Sequence, residues 1–134
     1  MTTKAEWLAL AERAEKATGP DREIEEVISC LIYGWTKTVV FIDPFGDCPM
    51  LVDTEGNGPC IADEYTACLD AITALIERDL PGWMLTLYWP TKTHGPRAVL
   101  VSPDYRKQIG ADAQTVPNAA CNAFCRAMAE KAGE

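Results

Sequence analysis

Two hydrophobic periods meet between Tyr65 and Pro90, and their meeting restricts the architecture of this chain more than any other feature. In YTACLDAITALIERDLPGWMLTLYWP, Cys68, Ile72, Leu75 and Ile76 recur at the spacing of one helix face, whereas Trp83, Leu85, Leu87 and Trp89 alternate with Met84, Thr86 and Tyr88 as on a strand. Pro81-Gly82 separates the two periods. A helix must therefore turn back onto a sheet face, and the rest of the chain is expected to pack on this pair.

The flanking segments read in the same terms. From Lys4 to Thr18, Trp7, Leu10, Ala11 and Ala14 form an apolar stripe opposite Glu6, Glu12, Arg13 and Lys16, which predicts an amphipathic first helix. Gly19-Pro20 ends it and opens a second helix, with Pro20 at its first position, Asp21 and Glu23 at the positive end of its dipole, and Ile24, Val27, Ile28 and Leu31 facing inward. Gly34 supplies the stop, and β-branched and aromatic residues predict a strand over Trp35–Ile42. From Asp43 to Asp63, Pro44, Gly46, Pro49, Gly56, Gly58 and Pro59 break the pattern, leaving only Met50–Val52 as a short strand. Thr91–Pro96 reads as a hairpin loop and Arg97–Ser102 as the returning strand. Pro103–Val116 is less regular, and Pro117 opens a last helix with Ala120, Cys121, Phe124, Ala127 and Met128 on one face. The expectation is an α+β fold, a layered sandwich of helices on a small, mainly antiparallel sheet, built as a single domain over residues 1–134. Its expected core contains Ile28, Leu31, Leu69, Ile72, Leu75, Leu85, Leu87, Phe124 and Met128.

Charge narrows the function classes. Residues 1–34 carry 4 basic and 7 acidic side chains, residues 35–82 carry 2 and 9, and residues 83–134 carry 6 and 4, so the middle third is the acidic pole of a chain with net charge −8. An acidic pole repels phosphates and anionic lipid, which disfavours direct nucleic-acid or membrane roles and suits a partner protein with a basic surface. The bland reading of the same charges is a solvated face that keeps the protein soluble. The interleaved charges of the first helix fit no signal peptide and no apolar run is long enough to span a bilayer, so the expected location is the cytoplasm.

Catalytic and metal motifs are weak. The six cysteines form no CxxC pair, so reduced thiols and no structural zinc are expected. Asp53, Glu55, Asn57 and Glu64, with Gly58 at the sixth position, match the spacing of a calcium loop, but the prolines at 44 and 49 deny it an entering helix. His94, the single histidine, lies in a Thr-Lys-Thr-His-Gly-Pro turn, and no signature pairs it with a cysteine nucleophile. No cofactor and no enzymatic activity are expected.

The segments ATGPDREIEEVI, Gly34-Trp35, YTACLDAITAL, LPGW at Leu80–Trp83 and TVPNAACNAFC, taken in order, resemble small uncharacterised phage and prophage proteins of alphaproteobacteria, related in layout to the phage ABA-sandwich domain. The resemblance runs from about Ala11 to Ala129 and departs from the family pattern at Ile24, Cys68 and Asn118-Ala119-Ala120. It implies phage origin and a fold, with no catalytic residue. The acidic segment has no fixed counterpart there, so it is where function is expected to reside: a non-enzymatic accessory protein, anti-CRISPR-like in its inhibition of a host defence system, binding protein through Asp43, Asp47, Asp53, Glu55, Asp63 and Glu64. The alternative is a virion structural or assembly protein that self-associates. A monomer or a small homo-oligomer is expected.

Overall fold

The computed structural model describes residues 4–44 and 46–133, apart from the side chains of Val40 and Ile42; Phe45 of the acidic segment is outside the described residues. The elements are helices α1 (Lys4–Lys16) and α2 (Arg22–Tyr33), strands β1 (Thr36–Ile42) and β2 (Gly46–Val52), helix α3 (Leu69–Asp79), strands β3 (Met84–Tyr88), β4 (Arg97–Val101) and β5 (Gln108–Asp112), and helix α4 (Val116–Ala132). The α+β class holds, with every strand pair antiparallel. The strands form two sheets, β1-β2 and β3-β4-β5, where the sequence predicts one. Contacts divide the chain into two compact units, Met1–Ile24 with Glu64–Glu134, and Glu25–Asp63.

The first unit is organised around α4, not around the Tyr65–Pro90 pair that the periodicity singles out. α4 packs on β4 and β5 and also meets α1 and α3. Its residues from Asn118 to Cys125 are buried without interruption. A helix covered on several sides shows no amphipathic stripe, because every face is an inner face. Alanines at 119, 120, 123, 127 and 129 let neighbours approach closely, and Phe124 supplies the bulk, meeting Trp7 of α1 edge to face at 5.8 Å. Two buried asparagines of α4 tie it to the chain on either side: Asn118 Nδ2 donates to the Gly19 carbonyl at 2.8 Å, and Asn122 Nδ2 donates to the Asp112 carbonyl at 2.8 Å. Arg126 Nε donates in turn to Asn122 Oδ1 at 2.8 Å. Thr115 caps α4 by accepting from the Asn118 N–H, with Pro117 in the first turn.

Several expectations are corrected in this unit. α3 begins at Leu69 and not at Tyr65, because Ala67 and Cys68 N–H groups both bond the Glu64 carbonyl in a separate turn and Cys68 is extended. Tyr65 itself is buried. β5 falls in the stretch that reads as irregular; with Gly110 at its centre and Ile109 as its one strong strand former, its propensity is too weak to show. Among the expected core residues of this unit, Ile72, Leu75 and Phe124 are buried. Leu69, Leu85, Leu87 and Met128 are half-buried. For Leu85 and Leu87 the reason is that β3 lies at a sheet edge.

The start of α2 shows how local chemistry fixes a chain direction. Asp21, and not Pro20, sets the helix start: its Oδ1 accepts from the N–H groups of Glu23 (3.1 Å) and Ile24 (3.2 Å). Thr66 Oγ1 accepts from the Asp21 N–H at 2.8 Å, and Arg13 Nε donates to Asp21 Oδ2 at 3.0 Å. Burial by itself pushes the Asp21 carboxyl upward, but the Arg13 hydrogen bond and the two backbone N–H groups outweigh it and hold the pKa below the ordinary value. A depressed carboxylate pKa stabilises the fold above the unfolded-state pKa, and this contribution is lost as pH falls through the folded value. Asp21→Ala should therefore cost about 0.5 to 2 kcal/mol at neutral pH, and urea titrations should show the gap to the parent closing below about pH 4. A gap that widens in acid would contradict the assignment.

In the second unit, Gly34 has φ +75° and its N–H bonds the Cys30 carbonyl at 3.0 Å, which ends α2 where the sequence predicts. Ile28 is buried and Leu31 half-buried. The acidic segment, expected to be irregular up to Met50, instead pairs from Gly46 onward, in the register Phe41↔Asp47, Val39↔Pro49 and Lys37↔Leu51. Pro49 is compatible with this because each strand of a two-stranded sheet is an edge, so a missing N–H breaks no inner ladder. The loop after β2 folds back on it: Cys60 N–H bonds the Leu51 carbonyl at 2.8 Å and Asp53 N–H bonds the Asn57 carbonyl at 2.9 Å. Gly58 is required there, since a Cβ would lie 2.6 Å from the Leu51 carbonyl oxygen.

Candidate functional site

The acidic residues singled out by the sequence take distinct positions. Asp43 is exposed beside the β1-β2 turn, Asp47 is exposed on β2, and Glu55 and Asp63 are exposed in the segment that follows. Asp53 is different. Its Oδ1 accepts from the N–H groups of Glu55 and Asn57, both at 2.9 Å, so the carboxylate closes its own loop and is a structural residue. Glu64 is exposed and belongs to the other unit, where its carbonyl closes the turn before α3. Among the described residues no group of three His, Cys, Asp or Glu side chains gathers as a metal site, and the Asp53 geometry turns the calcium-loop spacing into an ordinary hydrogen-bonded turn.

The hairpin adds something that the charges alone do not show. Antiparallel register puts cross-strand partners on one face, so Phe41 with Asp47 and Val39 with Pro49 share a surface. Phe41 is 70% exposed and Val39 63% exposed, while Asp47 and Pro49 are also open to solvent. An apolar patch with Asp47 at one end and Lys37 at the other is therefore presented on a sheet of two strands, an arrangement with little stability of its own in water. The sequence carries the signal in Trp35–Ile42, but the pairing partner was needed to see which residues face out.

A second surface lies in the first unit and was missed. On the three-stranded sheet, the register aligns Tyr88, Arg97 and Asp112 in one row, and Thr86, Val99 and Gly110 in the next. Tyr88, Arg97, Asp112 and Val99 of these rows line an open hollow of about 670 Å³ together with Trp89, Thr91, His94, Gly95 and Gln108. Arg97 Nη1 bonds Asp112 Oδ1 at 3.0 Å, and the guanidinium lies over Gly110, where a Cβ would overlap it. Asn122 of α4 fixes the Asp112 backbone beneath. Thr91 Oγ1 accepts from the N–H groups of Thr93 (3.3 Å) and His94 (3.1 Å), which shapes the loop that carries the histidine. Arg97 and Asp112 pair with each other, and among the described residues no cysteine lines the hollow. Tyr88 and Trp89 are 51% and 63% exposed. Their alternation in the sequence gave the strand, but not that it would be an edge.

The six cysteines are free thiols, four half-buried and two, Cys121 and Cys125, buried within α4. Cys121 Sγ donates to the Tyr65 carbonyl at 3.2 Å. No helix among the described residues is long and apolar enough to cross a membrane. No family model, curated protein or solved structure matches this chain.

Proposed function

We propose that this chain is a phage-encoded, non-enzymatic accessory protein that binds another protein through its acidic hairpin and the loop that follows, in the manner of an anti-CRISPR or similar inhibitor of host defence. The reading is supported above all by one observation: Phe41 and Val39 stand exposed on the same hairpin face as Asp47 and Pro49. Apolar side chains give a docking surface its affinity, and a carboxylate border selects and steers a basic partner. A nucleic-acid-binding protein of the host presents such a basic face. Asp43, Glu55 and Asp63 are further exposed carboxylates of this unit, whereas Asp53 supports the loop from within.

The test is capture from phage-infected host cells with the tagged chain as bait, under reducing conditions. The expected result is a co-purifying protein that is retained at low salt and released as ionic strength rises, since exposed charges are screened beyond about 10 Å at 0.1 M salt. Capture that is indifferent to salt, or recovery of the bait alone, contradicts the proposal.

A further inference from the structure

We infer that β3 is a homodimerisation strand: two copies pair Met84–Tyr88 antiparallel about a two-fold axis at Thr86 and join their three-stranded sheets into one of six strands. β3 lies at the edge of its sheet. Among the described residues, no backbone hydrogen bond outside the ladder with β4 involves Met84–Tyr88. Edge strands are ordinarily protected by a charge, a proline or a bulge. None of these occurs within β3, and the run from Pro81 to Thr91 has no charged side chain. The opposite edge, β5, carries Asp112 and a central glycine.

The occupant is named by the strand itself, because MLTLY is its own antiparallel complement. Pairing about Thr86 sets Met84 against the partner's Tyr88, Leu85 against the partner's Leu87, and Thr86 against the partner's Thr86. Each is a favourable cross-strand combination, sulfur with aromatic, leucine with leucine, hydroxyl with hydroxyl. The pairing also accounts for two features left open by the single chain. Leu85 and Leu87 on the inner face are only half-buried, and each would be covered by its counterpart. Met84 and Tyr88 on the outer face, 49% and 51% exposed, would cover one another.

Charge favours the same occupant. Two copies each carry net charge −8, and the uncharged run at 81–91 lets them pair along β3 with no carboxylate in the strand itself. The area sets the strength. Five paired residues per strand fall well short of the roughly 20–30 residues per side of a standard interface, so the dimer should dissociate on dilution.

Sedimentation equilibrium in reductant over a concentration series tests this. The parent should pass from the monomer mass of 14.7 kDa towards twice that value as concentration rises. Thr86→Lys and Thr86→Glu each place like charges opposite one another at the axis, at an exposed site where the monomer should keep its circular dichroism. Each variant alone should weaken dimerisation at least about tenfold, and an equimolar mixture of the two should restore it. A parent that stays monomeric throughout, single variants that dimerise like the parent, or a mixture that fails to recover would each overturn the inference.

Discussion

Phe124→Ala should lower the stability of the protein by about 3 to 5 kcal/mol, read as a shift of the urea midpoint at unchanged slope. The ring is fully buried in a stretch of α4 whose neighbours are mostly alanine, asparagine and cysteine. A buried site relaxes only in part around a deleted ring, so a cavity remains. The variant also removes the edge-to-face contact with Trp7, centroid to centroid 5.8 Å, that joins α1 to α4. A loss below about 1 kcal/mol would mean that α4 is not the centre of its unit.

Thiol labelling should divide the six cysteines by burial. Burial pushes the Cys125 thiol up to about 12, against a weaker downward pull from Arg126. The thiolate is the reactive form, so near pH 8 its population, and with it the labelling rate, should fall about a thousandfold below that of an ordinary thiol even before access is considered. Cys121, buried and bonded to the Tyr65 carbonyl, should be similarly slow. Cys48, Cys60 and Cys68 should react first. Cys30 should lag behind them, because burial and the Glu26 carboxylate raise its pKa more than Lys37 lowers it. All six should label in denaturant. Uniform native rates, or a mass two units short for any pair, would contradict the arrangement.

The parts of this fold that were legible in the sequence are those where one period dominates. α1 and α2 each present one apolar face, β3 alternates half-buried with exposed residues, and Gly34 stops α2 where only a glycine is comfortable at φ +75°. α4 was legible as a helix but not as the hub, because a helix buried on several sides loses the polar stripe that signals orientation, and Asn118 and Asn122 read as surface residues until their carbonyl partners are seen. β2 and β5 were hidden for a related reason. Their strand character comes from pairing with β1 and β4, whereas Gly46, Pro49 and Gly110 each argue locally against it. The same holds for function. Acidity between residues 43 and 63 is plain in the letters, but which carboxylate works inward is a matter of hydrogen bonding. Asp53 is half-buried and accepts from two backbone N–H groups, whereas Glu55 is exposed. Neither the hollow beside Tyr88 nor the exposed Phe41 could be read without the register of the strands.

If this protein acts by charge and shape at its acidic hairpin and loop, replacing Asp47, Glu55 and Asp63 together by lysine should remove its binding. All three side chains are exposed, and Asp53, which holds the loop, is left in place. The variant should therefore keep the parent's circular dichroism and unfolding midpoint. Affinity for the captured partner, measured by titration calorimetry at physiological salt, should fall by at least about a hundredfold, since like charges opposed across an interface cost several kcal/mol. A folded variant that binds with the affinity of the parent would contradict the account and leave the acidic segment a solvated surface.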